Sequence, residues 1–189
     1  MKLNRDQITS VLLVVGLLVL FLTPLGKTIH AKILAFTASD PKLEMTHKNL
    51  EPKDWQINLL GYNGFSDTNL EAMKGKVILI NFWGTWCGPC VAEMPSMQNL
   101  YDAKKKEVNF LFISRGDKPE KIKSFLEKTN YNFPVYEIAN KPSKDFIPNT
   151  LPTTYVINKN GEIVFVEKGM ADWNAPEVHA MLDKLISEN

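Results

Sequence analysis

Residues 77–106 read VILINFWGTWCGPCVAEMPSMQNLYDAKKK and combine a strand pattern, a cysteine pair and a helix pattern. Residues 77–82 form a largely apolar run, which is typical of a central strand covered on both faces. From residue 89 to about 106, apolar side chains recur at spacings of three and four, which predicts a helix. Cys87 and Cys90, the two cysteines of the chain, therefore lie where a buried strand passes into a helix.

The position of the cysteines favours thiol chemistry. A helix N-terminus carries about half a positive charge and unpaired N–H groups, which stabilise a thiolate at Cys87 and lower its pKa below about 8.5. Two intervening residues let the sulfurs of Cys87 and Cys90 meet across one turn. A zinc site needs two further ligands. Because His30, His47 and His179 do not stand at ligand spacing, no metal site is predicted.

Two motifs resemble a known family. Residues 82–90, FWGTWCGPC, followed by Pro95, resemble thioredoxin, and residues 93–95, EMP, are similar to the membrane-anchored TlpA/ResA-type thioredoxin-like proteins. Residues 151–157, LPTTYVI, resemble the family's cis-proline loop, and the resemblance extends over residues 55–188. It implies an α/β thioredoxin fold, with a central mixed β-sheet and helices on both faces. An N-terminal β-hairpin extension and an N-terminal transmembrane helix are implied as well.

The N-terminal segment is predicted to be a membrane anchor. Residues 7–26 contain no charge, and a helix of this length spans about 30 Å, the thickness of a bilayer's hydrocarbon core. A cleaved signal peptide is the alternative, but no small-x-small site follows closely and no cysteine is near to take a lipid. We expect an anchor over residues 1–36 with the span at about 8–26, a linker over 37–53 and a thioredoxin-like domain over 54–189.

Periodicity predicts further elements on either side of the cysteine motif. Residues 55–59 alternate apolar and polar, which indicates a strand, and a return strand is expected near Phe65. Helices are expected over residues 119–128 and 175–188 because apolar side chains share one face in each. Strands are also expected at residues 110–113, 133–136, 154–157 and 162–166.

The resemblance implies a role for each residue around the cysteines. Cys87 is expected to attack a substrate disulfide, and Cys90 to resolve the mixed disulfide that forms. Pro152 is expected to be cis and to face the cysteines, with the backbone of Leu151 pairing to an extended substrate segment. The other residues expected to contact substrate are Trp86, Gly88, Pro89 and Thr153.

One position departs from thioredoxin. The buried Asp that thioredoxins place six residues before the first cysteine is Asn81 here, which cannot titrate. TlpA/ResA-type proteins carry a Glu three residues after the second cysteine, and Glu93 matches it. Residues three apart share a helix face, so Glu93 is expected to lie near Cys90 and take over proton transfer. The alternative is a solvated surface Glu. Trp173 is expected to be a packing residue.

Composition and resemblance together predict an enzyme. Hydrophobic residues make up 44% and charged residues 23%, which is typical of a globular protein. A net charge of +1 gives no basic excess for nucleic acid. We expect a thiol–disulfide oxidoreductase without a cofactor, which reduces disulfides of extracytoplasmic proteins, apocytochrome c among them. Its expected partners are a substrate protein with a disulfide or thiol pair and a membrane electron-donor protein.

Two other functions stay open. Relatives on this fold bind Cu(I) through a cysteine pair with a distant His or Met, although the CxxC spacing is narrower than the CxxxC of copper chaperones and Pro152 should hinder metal. The second is a disulfide donor, but Gly88 and Pro89 match thioredoxin, whose potential of about −270 mV favours reduction. A peroxidase is not expected, because the residues before Cys87 lack the Pro-x-x-x-Thr-x-x-Cys spacing.

Overall fold

The computed structural model describes residues 4–22, Pro41 and 45–188. The chain divides into two compact units, Met1–Thr37 and Ala38–Asn189. The first contains helix α1 (Arg5–Leu22), which has Asp6 in its first turn. A carboxylate at this position stabilises the helix because it lies near the positive end of the helix dipole.

Helix α1 carries the apolar residues of the predicted anchor. Its exposed apolar side chains include Ile8, Val11, Leu12, Leu13 and Val14. Within the part of the chain that the structure describes, no helix is long and apolar enough to cross a membrane. The predicted span is therefore not confirmed. Its last part, residues 23–26, and most of the stretch 27–44 lie outside the described residues.

The second unit is built on a mixed sheet of eight strands. The strands are β1 (Met45–Asn49), β2 (Asn58–Tyr62), β3 (Thr68–Asn69), β4 (Val77–Trp83), β5 (Val108–Ser114), β6 (Val135–Ile138), β7 (Thr153–Ile157) and β8 (Glu162–Lys168). Their order across the sheet is β1-β8-β7-β4-β5-β6-β2-β3. Strands β4, β5 and β6 run parallel, and the other pairs among the described strands are antiparallel.

Two crossover helices connect the parallel strands. Helix α3 (Gly88–Lys104) joins β4 to β5, and α4 (Pro119–Lys128) joins β5 to β6. Each has a proline in its first turn, where the missing N–H is not needed. Because the three strands follow one another in one direction, right-handed crossovers put both helices on the same face. The last helix, α5 (Pro176–Ser187), buries its apolar residues in the same cluster.

The sheet separates two apolar clusters. In β4, Leu79 and Trp83 belong to the helix-face core, the cluster that contains the buried apolar residues of α3, α4 and α5. Ile80 and Phe82 alternate with them and belong to the loop-face core on the opposite side. The loop-face core is covered by the short helix α2 (Pro52–Trp55), a 3₁₀ turn (Glu71–Met73) and the irregular stretch 139–152. The second unit thus has helices on both faces of the sheet, but its long helices α3, α4 and α5 are all on the helix face.

Most predicted elements are confirmed with small changes at their ends, and α4 has the predicted bounds. Two expectations near residue 50 are wrong. The predicted linker, residues 37–53, contains β1, which pairs with β8 at the sheet edge and exposes polar residues, so it lacks a buried-strand pattern. The strand expected at residues 55–59 begins only at Asn58, because helix α2 with Pro52 at its start precedes it. The expected hairpin is present as the antiparallel pair β2 and β3.

Candidate active site

The two cysteines lie at the junction of β4 and α3. Cys87 directly precedes the helix in extended backbone conformation, with φ −88° and ψ 101°. Its Sγ accepts a hydrogen bond from the backbone N–H of Cys90 at 3.3 Å. The two sulfurs form a disulfide with an S–S distance of 2.04 Å. The structure therefore shows the oxidised form, in which the cysteines meet across one turn as the spacing predicts.

The two sulfurs differ in their surroundings. Cys87 is 6% exposed, whereas Cys90 is fully buried in the helix-face core. The neighbouring Trp86, Gly88 and Pro89 are exposed. After reduction, a thiolate at Cys87 lies at the positive end of α3 and is stabilised there. This arrangement suits Cys87 as the sulfur that meets another protein and Cys90 as the sulfur that resolves the adduct.

An acid from the loop after β5 holds the segment before Cys87. Oδ2 of Asp117 accepts hydrogen bonds from the backbone N–H of Thr85 at 2.8 Å and from the hydroxyl of Ser114 at 2.7 Å. Oδ1 accepts one from the Thr85 hydroxyl at 2.5 Å. Both carboxylate oxygens are thus used inside the site. The loops after β4 and β5 therefore form one hydrogen-bonded unit.

The indole of Trp86 is exposed but fixed. Its side chain is 65% exposed, and its Nε1 donates a hydrogen bond to the backbone carbonyl of Arg115 at 3.2 Å. The ring lies over Gly84, where an added Cβ would come within 2.8 Å of Nε1. A larger residue at position 84 would therefore force the indole to move. The result is an oriented apolar surface beside Cys87.

The predicted cis-proline is present. The Leu151–Pro152 peptide bond is cis, and Pro152 is buried while Leu151 is half-buried. Strand β7 begins at the next residue, Thr153, which pairs with Phe82 near the end of β4. This register puts Pro152 at the same sheet edge as the disulfide. Thr153 itself is fully buried and its hydroxyl donates to the Thr150 carbonyl at 2.9 Å, so its side chain supports the loop from inside.

Glu93 is a buried acid one turn beyond Cys90, with 2% of its surface exposed. Its Oε1 accepts a hydrogen bond from Nδ2 of Asn81 at 2.9 Å. Its Oε2 accepts from Nε1 of Trp173 at 3.0 Å and from the backbone N–H of Ala171 at 3.3 Å. Burial raises the pKa of Glu93 to about 7, and these hydrogen bonds oppose the rise because they stabilise the carboxylate. The alternative of a solvated surface Glu is therefore wrong.

Trp173 belongs to the candidate active site, which the sequence did not predict. It is fully buried and packs against Phe165 with ring centroids 6.2 Å apart, as expected for a packing residue. Its indole N–H also donates to Glu93, and its backbone N–H donates to the Ser96 hydroxyl at 3.1 Å. Because 80 positions separate Trp173 from Glu93, no local pattern connects them.

The two described histidines, His47 and His179, form their hydrogen bonds with residues other than the cysteines. Within residues 4–22, 41 and 45–188, no group of three or more His, Cys, Asp or Glu side chains is placed to hold a metal ion. His47 on β1 contacts Glu162 on β8 at 2.8 Å, and His179 contacts Asn174 at 3.1 Å. His30 lies outside the described residues.

Fold and site together define a thioredoxin-like α/β protein with a CxxC disulfide at a helix N-terminus and a cis-proline at the same sheet edge. The chain belongs to the Redoxin family, whose model matches residues 44–185.

Two curated relatives are both thiol-disulfide oxidoreductases ResA. The chain is 39% identical over 106 residues to the protein of Oceanobacillus iheyensis, a match that covers 55% of each chain. It is 31% identical over 156 residues to the protein of Bacillus subtilis, which covers 82% of each. The match thus spans about half the length of the first relative and most of the second.

Solved structures agree in fold. StoA from Bacillus subtilis superimposes with a TM-score of 0.55 at 22% identity, over 72% of this chain and 100% of StoA. At this identity, the likeness bears on the fold alone.

Proposed function

We propose that this chain is a thiol–disulfide oxidoreductase that reduces disulfides of extracytoplasmic proteins through Cys87 and Cys90. The proposal depends above all on the disulfide at the N-terminus of α3, with Cys90 buried and Trp86 exposed beside Cys87. The names of the two curated relatives support the same reaction. The two sulfurs store both electrons of the exchange, so the reaction calls for no cofactor.

The reaction proceeds in two exchanges at sulfur. The Cys87 thiolate attacks one sulfur of the substrate disulfide, which breaks as a Cys87–substrate disulfide forms, and the released substrate thiolate takes a proton. The Cys90 thiolate then attacks Sγ of Cys87 and releases the second substrate sulfur, which takes the second proton. The substrate gains two electrons and two protons, and the cysteine pair loses them.

Glu93 supplies the base for the second exchange. Cys90 is fully buried, so its proton needs an acceptor inside the protein, and Asn81 cannot titrate. Glu93 lies one turn along the same helix, and burial raises its pKa to about 7. At neutral pH it is therefore able both to accept and to return a proton. The hydrogen bonds from Trp173 and Ala171 stabilise the carboxylate when the proton leaves.

The surface around Cys87 fits an extended polypeptide. Trp86, Gly88 and Pro89 are exposed, and the half-buried Leu151 precedes the buried Pro152 at the same sheet edge. The backbone of Leu151 pairs with the substrate segment in the way that a strand adds to a sheet edge. The exposed indole then contacts the substrate residues beside the attacked sulfur.

We place this reaction outside the cytoplasm, at a membrane to which the N-terminal segment attaches. The uncharged residues 7–26 and the exposed apolar side chains of α1 support this placement. A membrane electron-donor protein returns two electrons to the disulfide after each turnover. Apocytochrome c, whose paired cysteines must be reduced, is the proposed substrate.

A mixed-disulfide trap tests the roles of the sulfurs. Cys90→Ser keeps the nucleophile Cys87 and lacks the resolving sulfur. We therefore expect a stable mixed disulfide between Cys87 and a disulfide-bearing peptide, and a small dithiol should release the peptide. Cys87→Ser is the matched control and is expected to form no adduct at a comparable rate. Equal adduct formation by both variants would contradict the assignment.

The direction of the reaction is tested by the potential of the cysteine pair. Equilibration with glutathione measures this reduction potential. A potential near that of thioredoxin, about −270 mV, supports a reductase, whereas one near that of DsbA, about −120 mV, makes the chain a disulfide donor.

The side of the membrane is tested in intact cells with a membrane-impermeant maleimide. We expect labelling of reduced Cys87 before lysis and recovery of the chain in the membrane fraction. Labelling only after lysis would place the domain in the cytoplasm.

A further inference from the structure

The backbone of Arg115 lies at the rim of the candidate active site. The backbone N–H of Arg115 donates to the carbonyl of Trp83 at 2.8 Å, and its carbonyl accepts from Nε1 of Trp86 at 3.2 Å. Arg115 is therefore bonded to both ends of the short segment that leads into Cys87. These hydrogen bonds fix the backbone of Arg115 relative to the exposed indole.

The side chain of Arg115 has no hydrogen bond or ion pair within the described part of the chain. It is half-buried, and Nη1 is shielded from solvent without a partner. Burial lowers the pKa of the guanidinium, but an arginine stays protonated at neutral pH. A partly desolvated charge without a partner costs free energy, so this cation gains from pairing with an anion.

Asp117 and Tyr155 leave the charge of Arg115 uncompensated. Asp117, two residues on, has both carboxylate oxygens engaged by Thr85 and Ser114. Tyr155 is near enough for the guanidinium to oppose the rise in pKa that burial causes at this phenol. Because the pKa of Tyr155 is raised, the phenol is neutral at neutral pH and supplies no counter-charge.

We propose that Arg115 binds a carboxylate of the substrate polypeptide, an Asp or Glu beside the cysteine that Cys87 attacks. The inference rests on the proposed function, because it assigns a ligand group to the same site. A guanidinium presents paired N–H donors that match the two oxygens of a carboxylate. The bound acid supplies the anion that the Arg115 side chain lacks, while Trp86 packs on the adjoining residue. Arg115 thus selects substrates by charge next to the reactive disulfide.

Two disulfide peptides that differ only in Asp or Asn beside the reactive cysteine test this inference. The reduced protein is mixed with each, and each rate is divided by the rate of that peptide with dithiothreitol, which corrects for intrinsic reactivity. We expect the wild type to prefer the Asp peptide roughly tenfold, as hydrogen bonds to charged groups imply. Arg115→Met is expected to abolish the preference. Lys118→Gln removes an exposed cation from the same loop and is expected to retain it.

A small neutral disulfide, hydroxyethyl disulfide, separates a failure of the carboxylate site from a failure of disulfide exchange itself. Equal reduction of it by the wild type and Arg115→Met shows that exchange is intact, so that the peptide ratio reports on Arg115. Equal rates for both peptides, a preference that persists in Arg115→Met, or an equal loss in Lys118→Gln each overturn the carboxylate site. A wild type that reduces no disulfide at all overturns the proposed function as well.

A salt series on the wild type gives a measurement that needs no variant. Because the contact is between charges at a half-buried site, we expect the preference for the Asp peptide to decline as ionic strength rises. A preference that does not change with salt overturns the carboxylate site even if Arg115→Met does not fold.

Discussion

The two faces of the central sheet have different kinds of core. Both cores contain ring contacts, and in the loop-face core the ring of Phe82 meets those of Phe146 and Tyr155 edge to face, with centroids 5.6 and 5.4 Å away. The helix-face core holds a polar network around Glu93, together with the buried sulfur of Cys90. The difference is that the helix-face core holds a buried titratable group, Glu93, one turn along α3 from Cys90.

Adjacent residues of β4 serve these two purposes. Asn81 points to the helix face and donates to Glu93 and to the Thr154 hydroxyl, each at 2.9 Å. Phe82 points to the loop face and is fully buried. Because side chains alternate along a strand, one central strand reaches both cores. Substitutions in the two cores should therefore have different effects, and four experiments test the two cores and the segment before Cys87.

Phe82→Ala should have the largest effect on stability. It empties an aromatic position in the loop-face core, so we expect a loss of about 3–5 kcal/mol in the free energy of unfolding. Phe65→Ala, at a partly buried position on the same face, is the control and should lose less. Urea unfolding measures both. If the two losses were equal, the loop face would not have the packed core inferred here.

Glu93→Gln should change how stability depends on pH. The folded-state pKa of about 7 exceeds the ordinary 4.5, so the folded protein binds this proton more tightly. The stability that Glu93 contributes is therefore fully present below about pH 4.5 and is lost, by roughly 3 kcal/mol in all, as pH rises through about 7. We expect the variant to lack this decline and to resolve mixed disulfides more slowly.

Urea unfolding of the oxidised protein at a series of pH values measures the effect of Glu93→Gln. Glu71→Gln, an exposed acid in the 3₁₀ turn, is the matched control and should keep the wild-type decline. An unchanged decline in Glu93→Gln would mean that Glu93 is not the group that titrates.

Trp173→Phe and Trp83→Phe form a matched pair. Both indoles are fully buried, but only Trp173 donates to Glu93, and Nε1 of Trp83 has no partner among the described residues. We expect Trp173→Phe to cost about 1–3 kcal/mol above neutral pH, where the carboxylate loses a donor. The midpoint of the pH profile should also move above 7, because the charged form is less stabilised. The same shift in Trp83→Phe would argue for a general packing effect.

Asp117→Asn should have the smallest effect. The amide keeps one acceptor oxygen for Thr85 and Ser114 and replaces the other with a donor, which loosens the segment before Cys87. We expect exchange to slow several-fold, equivalent to about 1 kcal/mol, with little change in unfolding. Stopped-flow exchange with a peptide disulfide measures the rate, and Lys118→Gln is the control. A large loss of stability instead would make Asp117 a structural residue of the fold.

Local sequence patterns predicted the elements that depend on local interactions. Helix α4 has the predicted bounds because its proline start and its apolar face are both written within the helix. Strand β1 was missed because an exposed edge strand is defined by hydrogen bonds to β8, more than a hundred residues away. The fold implied by resemblance was correct in its sheet, while the loop face proved to carry only short helical segments.

By itself the sequence determined where the reactive sulfurs lie and what chemistry they can do. A strand, two cysteines and a helix N-terminus are contiguous in residues 77–106, so their geometry follows from local backbone structure. Only the tertiary structure decided that Glu93 is buried among Asn81, Trp173 and Ala171, and that Nη1 of Arg115 is shielded from solvent without a partner in the described chain. The physical reason is that desolvation and hydrogen bonding at a charged group depend on every atom around it, and distant segments supply most of those atoms.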